Sequence, residues 1–303
     1  MADDPLVTIL TPSLNSGKYI RQSIDSVLAQ DYPHIEHIVV DGGSTDGTCE
    51  ILAEYSDVLA YESLPDGGAA EAINKGFQRS NGRILGWLNA DDVYLPGAIR
   101  SAVRQLREWP DVDVVYGEAF WIDADGARIG EYPTRPFKSD ALARECFICQ
   151  PASFVRRAAF ERVGMLDPEE RIAFDYDLWI RLQPESLFRH VPESWACSRM
   201  HRASLSFADR KAVLQANMRL LGRHFGYIPL PWIYALCCYI VDGRDQFFEP
   251  SRHALVSYGI SLPFGLCQNR RHPARFLGEW LSTPVKAAAR ALGPAHARRN
   301  GAR

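Results

Sequence analysis

Two adjacent carboxylates follow a short apolar segment in the first third of the chain. Residues 84–88 are largely apolar, and Asn89-Ala-Asp91-Asp92 comes directly after them. This pattern predicts a buried strand that delivers carboxylate and amide groups to the end of a sheet. Neighbouring acids repel each other and lose hydration there, so they need a cation or another positive partner. A helix N-cap at Asp92 would explain one acid, and these residues alone leave both interpretations open.

A second candidate acid lies at the start of an apolar helix that we predict over residues 172–182. Asp175 could cap this helix. It could also be kept ionised by the helix dipole and accept a proton from a bound hydroxyl, and the two roles are compatible. His201 stands alone in its segment, and a lone histidine is more often a packed or surface residue than a ligand.

The elements that must position these groups repeat a strand, a polar loop and a helix. We predict strands at residues 6–10, 37–40 and 58–62, each followed by a polar loop and a helical pattern. Such a repeat is typical of βαβ units on a parallel sheet, whose carboxyl ends share one edge. The polar residues expected at that edge are Thr11, Asn15, Asp41, Asp46, Asn89, Asp91 and Asp92.

The rest of the first two thirds continues as mixed α/β structure. A helix is predicted over residues 96–109, a strand over 112–116, and a hairpin over 119–132 that turns at Asp125-Gly126. A helix over residues 157–163 precedes the one that carries Asp175. Beyond residue 208 the chain becomes amphipathic and basic, so we expect a domain at 1–208 and an extension at 209–303.

Composition narrows the class of protein. The net charge of −3 gives no global basic field that would indicate nucleic acid. Seven cysteines without framework spacing suit a reducing compartment. The first residues lack the features of a secretory signal, and no apolar run reaches the roughly 18–20 residues of a spanning helix. We therefore expect a cytoplasmic protein.

Six stretches, in order and at family spacing over residues 5–206, resemble the family 2 glycosyltransferases of GT-A fold. They are Val7-Thr-Ile-Leu-Thr-Pro-Ser-Leu-Asn15, Val39-Val-Asp-Gly-Gly-Ser-Thr-Asp-Gly-Thr48, Pro65-Asp-Gly-Gly68 with Ala72-Ile-Asn-Lys-Gly76, Trp87-Leu-Asn-Ala-Asp-Asp92, Gln150-Pro-Ala-Ser-Phe154 and Phe174-Asp-Tyr-Asp-Leu-Trp179.

The resemblance implies an α/β fold with a mostly parallel central sheet flanked by helices and a C-terminal helical extension. Residues 1–96 would form the half that binds a nucleotide-sugar, usually a UDP-sugar, and residues 97–208 the half that binds the acceptor. The residues implied to line the donor site are Thr11, Pro12, Asn15, Asp41, Ser44, Asp46, Asp66, Asn74, Lys75, Asn89 and Ala90.

The resemblance also implies roles in catalysis. Asn89-Ala-Asp91 occupies the place of the family's D-x-D metal motif, with asparagine as its first residue, so Asp91 is the implied ligand of Mg²⁺ or Mn²⁺. Asp92 and His201 would support it at the metal and diphosphate. Asp175 matches the general base, and the implied product is inverted at the anomeric carbon. The implied acceptor is a glycan or a lipid-linked glycan of surface polysaccharide or glycolipid synthesis.

Two other functions compete with this one. A nucleotidyltransferase or a dinucleotide-binding oxidoreductase could use a similar sheet, but the glycine fingerprint and the P-loop motif are both absent. A non-catalytic nucleotide-sugar-binding scaffold is favoured by Phe174 and Asn89, which replace acids that are common in the family.

The C-terminal extension has two interpretations of its own. It could cap the acceptor side as a helical unit. It could instead contact an anionic membrane, with the aromatic run Trp232, Tyr234 and Tyr239 at the interface and the basic residues on headgroups. Between residues 270 and 303 those basic residues are Arg270, Arg271, Arg275, Lys286, Arg290, Arg298, Arg299 and Arg303.

Overall fold

The computed structural model describes residues 4–202, 204, 208–243 and 251–292, with side chains up to residue 283. The chain divides into two compact units, residues 1–216 and 217–303. Our sequence analysis placed the boundary after residue 208. The basic residues from Lys286 onward lie outside the described side chains.

The first unit is built on one mixed sheet. Its strands are β1 (Val7–Ser13), β2 (Ile35–Asp41), β3 (Ala60–Ser63), β4 (Ile84–Trp87), β5 (Val93–Tyr94), β6 (Val112–Ile122), β7 (Arg128–Glu131), β8 (Ser153–Arg156) and β9 (Leu187–Arg199).

Helices cover this sheet and continue into the second unit. They are α1 (Ile20–Leu28), α2 (Thr48–Glu54), α3 (Ala69–Arg79), α4 (Ala98–Glu108), α5 (Ser139–Leu142), α6 (Arg157–Arg162), α7 (Phe174–Leu182), α8 (Arg210–Phe225), α9 (Leu230–Asp242), α10 (Ala254–Gln268) and α11 (Pro273–Leu292). A short 3₁₀ turn at Gln150–Ala152 precedes β8.

The strand order is β3-β2-β1-β4-β8-β6-β9-β5, with β7 paired to β6. The pairs β1–β2, β1–β4 and β2–β3 are parallel, as the βαβ repeat predicts. Beyond β4 the sheet becomes mixed, because β8 runs antiparallel to both β4 and β6. The predicted parallel sheet therefore describes the first half of the fold, which brings the carboxyl ends of β1, β2 and β4 to one edge.

The central strands of the sheet are buried. All seven residues of β1 and all four of β4 are buried, as expected of strands covered on both faces. Helix α4 packs its apolar side, including Ile99, Val103 and Leu106, into the same core as Val7 and Ile9. The core thus holds the strand ends at fixed positions.

The long strand β9 is absent from our sequence prediction. Its segment mixes charged residues with apolar ones and contains Pro192, which argues against a central strand. In the structure β9 pairs with β6, and the register shifts between the Tyr116–His190 and Glu118–Ser194 pairs. Pro192 lies within this irregularity, where the missing N–H costs no regular ladder bond.

The second unit contains α9, α10 and α11. Gly265 of α10 packs so closely on Phe276 of α11 that an added Cβ would lie 1.9 Å from the ring. The Asn269 side chain accepts a hydrogen bond from the Ile228 amide and donates one to its carbonyl. Among the described residues, no helix is both long and apolar enough to cross a membrane.

Candidate active site

The loops after β1 and β2 are joined by hydrogen bonds that use several predicted site residues. Asn15, in a left-handed conformation with φ of 50°, donates its N–H to Ser44 Oγ over 2.7 Å. Its side-chain oxygen accepts the Thr45 N–H over 3.0 Å, and Asp46 accepts the Gly17 N–H over 3.0 Å. Asn15, Ser44 and Asp46 therefore meet, and their contacts fix the two loops to each other.

Asp41 is the last residue of β2, and several hydrogen-bond donors surround its carboxylate. Its carboxylate is fully buried and accepts hydrogen bonds from the Ser44 amide, the Ser44 hydroxyl and the Ser63 hydroxyl. Burial acts to raise the pKa of Asp41, but these hydrogen bonds outweigh it and lower the pKa below its ordinary value. Asp41 thus stays ionised and holds its loop in shape.

Thr11 and Pro12 of β1 are buried. The Thr11 hydroxyl lies 3.0 Å from Nε2 of buried His37, on the neighbouring strand. Burial lowers the pKa of His37 to about 4, so this imidazole is neutral at physiological pH. Both predicted donor residues of β1 are therefore part of the sheet interior.

Asp66, Asn74 and Lys75 lie on or just before α3. The Asp66 carboxylate accepts the Gly68 N–H over 2.8 Å and lies against Gly42 at the end of β2. Lys75 is half-buried, with 39% of its side chain exposed, and forms an ion pair with Glu71 over 2.6 Å. Asn74 instead bonds both backbone groups of Leu166, donating to the carbonyl and accepting from the N–H. These two hydrogen bonds hold the loop at Leu166 against α3.

The Asn89–Asp92 segment is a tight turn rather than the beginning of a helix. The Asp92 N–H donates to the Asn89 carbonyl over 3.0 Å, and α4 begins only at Ala98 after Gly97. Asp92 is therefore not a helix N-cap, so that interpretation is wrong. Ala90 is buried beneath the turn.

Asn89 acquires a clear role in this turn. Its Nδ2 donates to Asp92 Oδ2 over 3.0 Å and to Gln150 Oε1 over 3.3 Å. Gln150 in turn donates to the Trp87 carbonyl over 2.6 Å. Since both partners of Asn89 are acceptors, a carboxylate at position 89 would leave them without a donor and would repel Asp92. The asparagine is thus explained by the geometry.

Asp91 and Asp92 have different surroundings. Asp92 is 3% exposed, and its Oδ1 accepts the Arg199 N–H over 2.8 Å. Burial, followed by the charge of Asp91, raises the pKa of Asp92 well above its ordinary value. The Asp91 side chain is 22% exposed and its Oδ2 lies 2.9 Å from Nε2 of His201. Asp91 and His201 are therefore the pair that a ligand could contact from solvent.

Arg199 is a site residue that our sequence analysis missed. Its guanidinium donates to the Asp91 carbonyl, the Asp123 carbonyl and Gln22 Oε1, over 2.8, 3.1 and 2.8 Å. It also lies over the Tyr19 ring, 4.7 Å from its centre, and that ring packs against His201. One feature of the sequence could have indicated Arg199. It lies two residues before His201, and residues at that spacing are on the same side of an extended chain.

Asp175 is the second residue of α7, whose N-cap position is Ala173, so Asp175 is not the cap. One of its oxygens accepts the Tyr176 N–H over 2.8 Å. The side chain is half-buried, and loss of hydration raises the pKa of Asp175 to about 6. A carboxylate with this pKa is a stronger base than an ordinary aspartate and is still ionised at neutral pH.

Two stacked indole rings link the Asn89–Asp92 turn to α7. Trp87, two residues before Asn89, stacks on Trp179 of α7 with 5.9 Å between the ring centres. Trp179 follows Asp175 by four residues, about one helical turn. The Asn89–Asp92 turn and the start of α7 therefore lie in one region of the first unit.

The described residues contain no cluster of three or more His, Cys, Asp or Glu that could hold a metal ion by itself. Asp91 and His201 offer one carboxylate and one imidazole at a partly exposed place. The carboxylate fits Mg²⁺ or Mn²⁺ with its remaining positions filled by phosphate oxygens and water, and the imidazole is a ligand more typical of transition metals.

Comparison with known proteins identifies the class. In Staphylococcus aureus TarS, residues 1–349 in complex with UDP-GlcNAc, the fold is similar, with a TM-score of 0.61 at 15% identity over 86% of this chain and 81% of that one. The mannosyltransferase PcManGT from Pyrobaculum calidifontis, in complex with GDP-Man and Mn²⁺, gives 0.57 at 20% identity over 96% and 81%. The curled mixed sheet flanked by helices is thus the GT-A fold of glycosyltransferases.

The sequence comparison is more specific. The model of glycosyl transferase family 2 matches residues 8–164, so this chain belongs to glycosyltransferase family 2. An uncharacterised glycosyltransferase of Rickettsia prowazekii is 32% identical over 209 residues, which are 66% of this chain and 65% of the relative. The chondroitin synthase of Pasteurella multocida is 28% identical over 191 residues, 62% of this chain but 20% of that enzyme. The chain thus matches less than two thirds of the length of either relative.

Proposed function

We propose that this chain is a metal-dependent, inverting transferase that moves a sugar from a nucleotide-sugar to a hydroxyl of a glycan or lipid-linked acceptor. One observation carries the proposal. Trp87, two residues before Asn89, stacks on Trp179 of α7 with 5.9 Å between the ring centres, so the Asp91–His201 pair and the helix that carries Asp175 belong to one region. This is the arrangement that departure of a diphosphate and deprotonation of an acceptor both require.

The donor is placed across the carboxyl ends of β1, β2 and β4. Lys75 and Asp66, both partly exposed, would contact the nucleotide directly, whereas Asn15, Ser44 and Asp46 would shape the loops that receive it. A UDP-sugar is the first choice, supported by the UDP-GlcNAc complex of TarS. The GDP-Man complex of the Pyrobaculum enzyme makes a GDP-sugar the second.

Asp91 and His201 would hold the cation, Mg²⁺ or Mn²⁺. A bound divalent cation supplies positive charge for the diphosphate that leaves. Asp92 acts as a positioning residue, because both of its oxygens accept hydrogen bonds from Arg199 and Asn89 within the protein. The Mn²⁺ in the Pyrobaculum mannosyltransferase supports this assignment.

Asp175 would be the general base. It takes the proton of the acceptor hydroxyl as that oxygen forms a bond to the anomeric carbon, and the bond from this carbon to the diphosphate breaks on the opposite face. The electron pair of that bond leaves with the nucleoside diphosphate, so the anomeric centre is inverted. A positioned base contributes typically about 10²–10⁴-fold to such a step.

The acceptor and the location of the enzyme are part of the proposal. Surface polysaccharide or glycolipid synthesis is supported by the similarity to chondroitin synthase. We place the chain in the cytoplasm, where nucleotide-sugars are made, with peripheral contact to anionic membrane through the C-terminal region.

The proposal is tested by measuring nucleotide release from a panel of UDP-, GDP- and dTDP-sugars, with Mn²⁺ and with EDTA. We expect release from one donor class, abolished by EDTA and by Asp91→Ala. The matched control is Asp125→Ala, which removes an exposed acid of the β6–β7 turn and should leave the rate unchanged.

Two results would contradict the proposal. Binding of a donor without any release, with water or glycan acceptors, would favour the non-catalytic scaffold. Equal rates with EDTA and in Asp91→Ala would exclude the proposed metal site.

A further inference from the structure

Helix α10 buries small residues and exposes apolar ones, the reverse of an ordinary surface helix. It contains no charged residue between Ala254 and Gln268. Its buried residues are Ser257, Ser261 and Gly265, one for each turn. Ser261 accepts a hydrogen bond from the Trp280 indole over 3.2 Å, and Gly265 lies against Phe276. The face that packs on α11 is therefore small and partly polar.

Four apolar side chains of α10 are exposed to solvent, whereas Leu262, Phe264 and Leu266 are half-buried. Leu255 is 88% exposed, Val256 53% and Ile260 44%, and Pro263 is exposed one turn further along. Helices in water place such residues inward, because burial of apolar area is what holds them in place. Small residues inward and apolar residues outward is the arrangement of helices that face lipid.

Positive charge adjoins this face. Arg270, Arg271 and Arg275 are exposed at the connection between α10 and α11. Between residues 251 and 283 the one acid is Glu279, whose carboxylate accepts the Tyr227 hydroxyl over 2.6 Å. Helix α11 also exposes apolar side chains, since Leu277 is 40% and Leu281 57% exposed.

We propose that the outward face of α10, together with Arg270, Arg271 and Arg275, docks on a membrane surface that contains anionic lipids. The helix lies in the plane of the interface, with Leu255, Val256 and Ile260 among the acyl chains. The arginines contact headgroup phosphates. The inference deepens the membrane contact proposed above and does not rest on the sugar-transfer chemistry.

The charges favour lipid over a second copy of this chain. Two copies that met through this face would bring their arginines together without acids to pair them, whereas an anionic leaflet attracts each arginine. Trp232 of α9 is buried, so the expected place of this residue at the interface is wrong, whereas Tyr234 and Tyr239 are half-buried.

Co-sedimentation of the full chain with vesicles tests this proposal. Vesicles of phosphatidylcholine alone are compared with vesicles that also contain phosphatidylglycerol, at ~0.1 M and ~0.5 M salt. We expect binding to the anionic vesicles that weakens at high salt, and little binding to the neutral ones. This comparison needs no variant.

Variants separate the two contributions. Leu255→Ser with Ile260→Ser should weaken binding by about tenfold or more, because apolar insertion is lost. Arg270→Gln with Arg271→Gln should weaken it about fivefold for each arginine and reduce its salt dependence. The matched control is Val58→Ser with Leu187→Ser, which removes exposed apolar residues of the first unit and should not change binding.

The proposal is overturned if the wild-type chain does not bind anionic vesicles. It is also overturned if both sets of variants bind these vesicles as tightly as the wild-type chain. Concentration-dependent self-association that the Leu255/Ile260 variant abolishes, without vesicle binding, would assign the face to a second copy. Nucleotide release without vesicles should be equal in all these variants, so failure of the membrane contact and failure of the transferase proposal remain distinguishable.

Discussion

The role that we propose for Asp175 as a base carries a cost in folding stability. Its carboxylate is half-buried and accepts a hydrogen bond from the amide of Tyr176. Partial loss of water raises the pKa of Asp175 to about 6, which improves it as a base and penalises its ionised form in the folded protein. Asp41 is the opposite case, since several donors surround its charge and lower its pKa.

This penalty can be measured as stability. The ordinary pKa of Asp175 is 3.8 and the folded value is about 6, so the folded chain binds the extra proton between these values. Stability gained from that proton is present below pH ~4 and is lost as the pH rises through ~6. Replacement by asparagine should therefore raise the free energy of unfolding at pH 7.5 by about 1–3 kcal/mol.

Urea unfolding of wild type and Asp175→Asn, followed by circular dichroism across this pH range, gives the measurement. The gain should shrink towards pH 4, where the native carboxyl is protonated. An Asp175→Asn chain that is less stable at pH 7.5 would show that the buried charge is compensated in the fold.

At the residue scale, the acids and their proposed roles could be predicted from the sequence, but not the contacts that hold them. Asp91 follows an apolar segment and Asp175 lies at the start of an apolar helix, and both positions call for an explanation. Asn89 donates to Asp92 and also to Gln150, which lies 61 residues further along the chain. A local sequence pattern cannot predict a contact over that separation. Arg199 was missed for the same reason, since its three acceptors come from three different segments.

At the element scale, strand β9 completes the site. Its last residue, Arg199, bonds the Asn89–Asp92 turn through both its backbone N–H and its guanidinium. The short strand β5 joins β9 directly after that turn, so the sheet itself holds the acids in place. The geometry of Asp91 therefore depends on an element more than a hundred residues away.

Arg199→Lys tests this dependence. A lysine keeps the charge but has one ammonium in place of the planar fork, so it cannot reach the three acceptors together. We expect a loss of about 10–100-fold in Mn²⁺-dependent nucleotide affinity, the usual cost of disturbing residues that orient metal ligands. Calorimetry with UDP, titrated at several Mn²⁺ concentrations, measures the effect.

The control is Arg79→Lys, whose arginine is 63% exposed and paired with Glu62 on the surface. That change should leave nucleotide affinity as it is. If Arg199→Lys binds nucleotide like the wild type and only melts earlier, Arg199 has a structural role alone.

The elements themselves were predicted unevenly, for physical reasons. The first βαβ repeats were recognised because their strands are continuously apolar and their helices amphipathic. The hairpin after β6 was also correct, since Gly126 takes the positive φ that its turn requires. Strand β9 was not recognised, because its stability comes from pairing with β6 and its own composition is mixed.

At the scale of the whole molecule, the chain combines two units with different surfaces. The first carries the acids at the strand ends of a GT-A sheet. The second exposes apolar side chains of α10 and basic side chains at and just after the α10–α11 connection, in a chain whose net charge is −3. Overall composition could not predict this surface, because the net charge averages over the two units.

The central claim is that Asp175 is the base of a sugar transfer from a donor held at the Asn89–Asp92 turn. The most direct measurement is the turnover of wild type and Asp175→Asn at saturating donor across pH, with donor affinity measured in parallel. We predict a wild-type rate that rises with pH through about 6 and then levels, as deprotonation of Asp175 requires. Asp175→Asn should bind the donor equally well and turn over about 10²–10⁴-fold more slowly. Wild-type turnover in Asp175→Asn, with the same pH profile, would contradict the account.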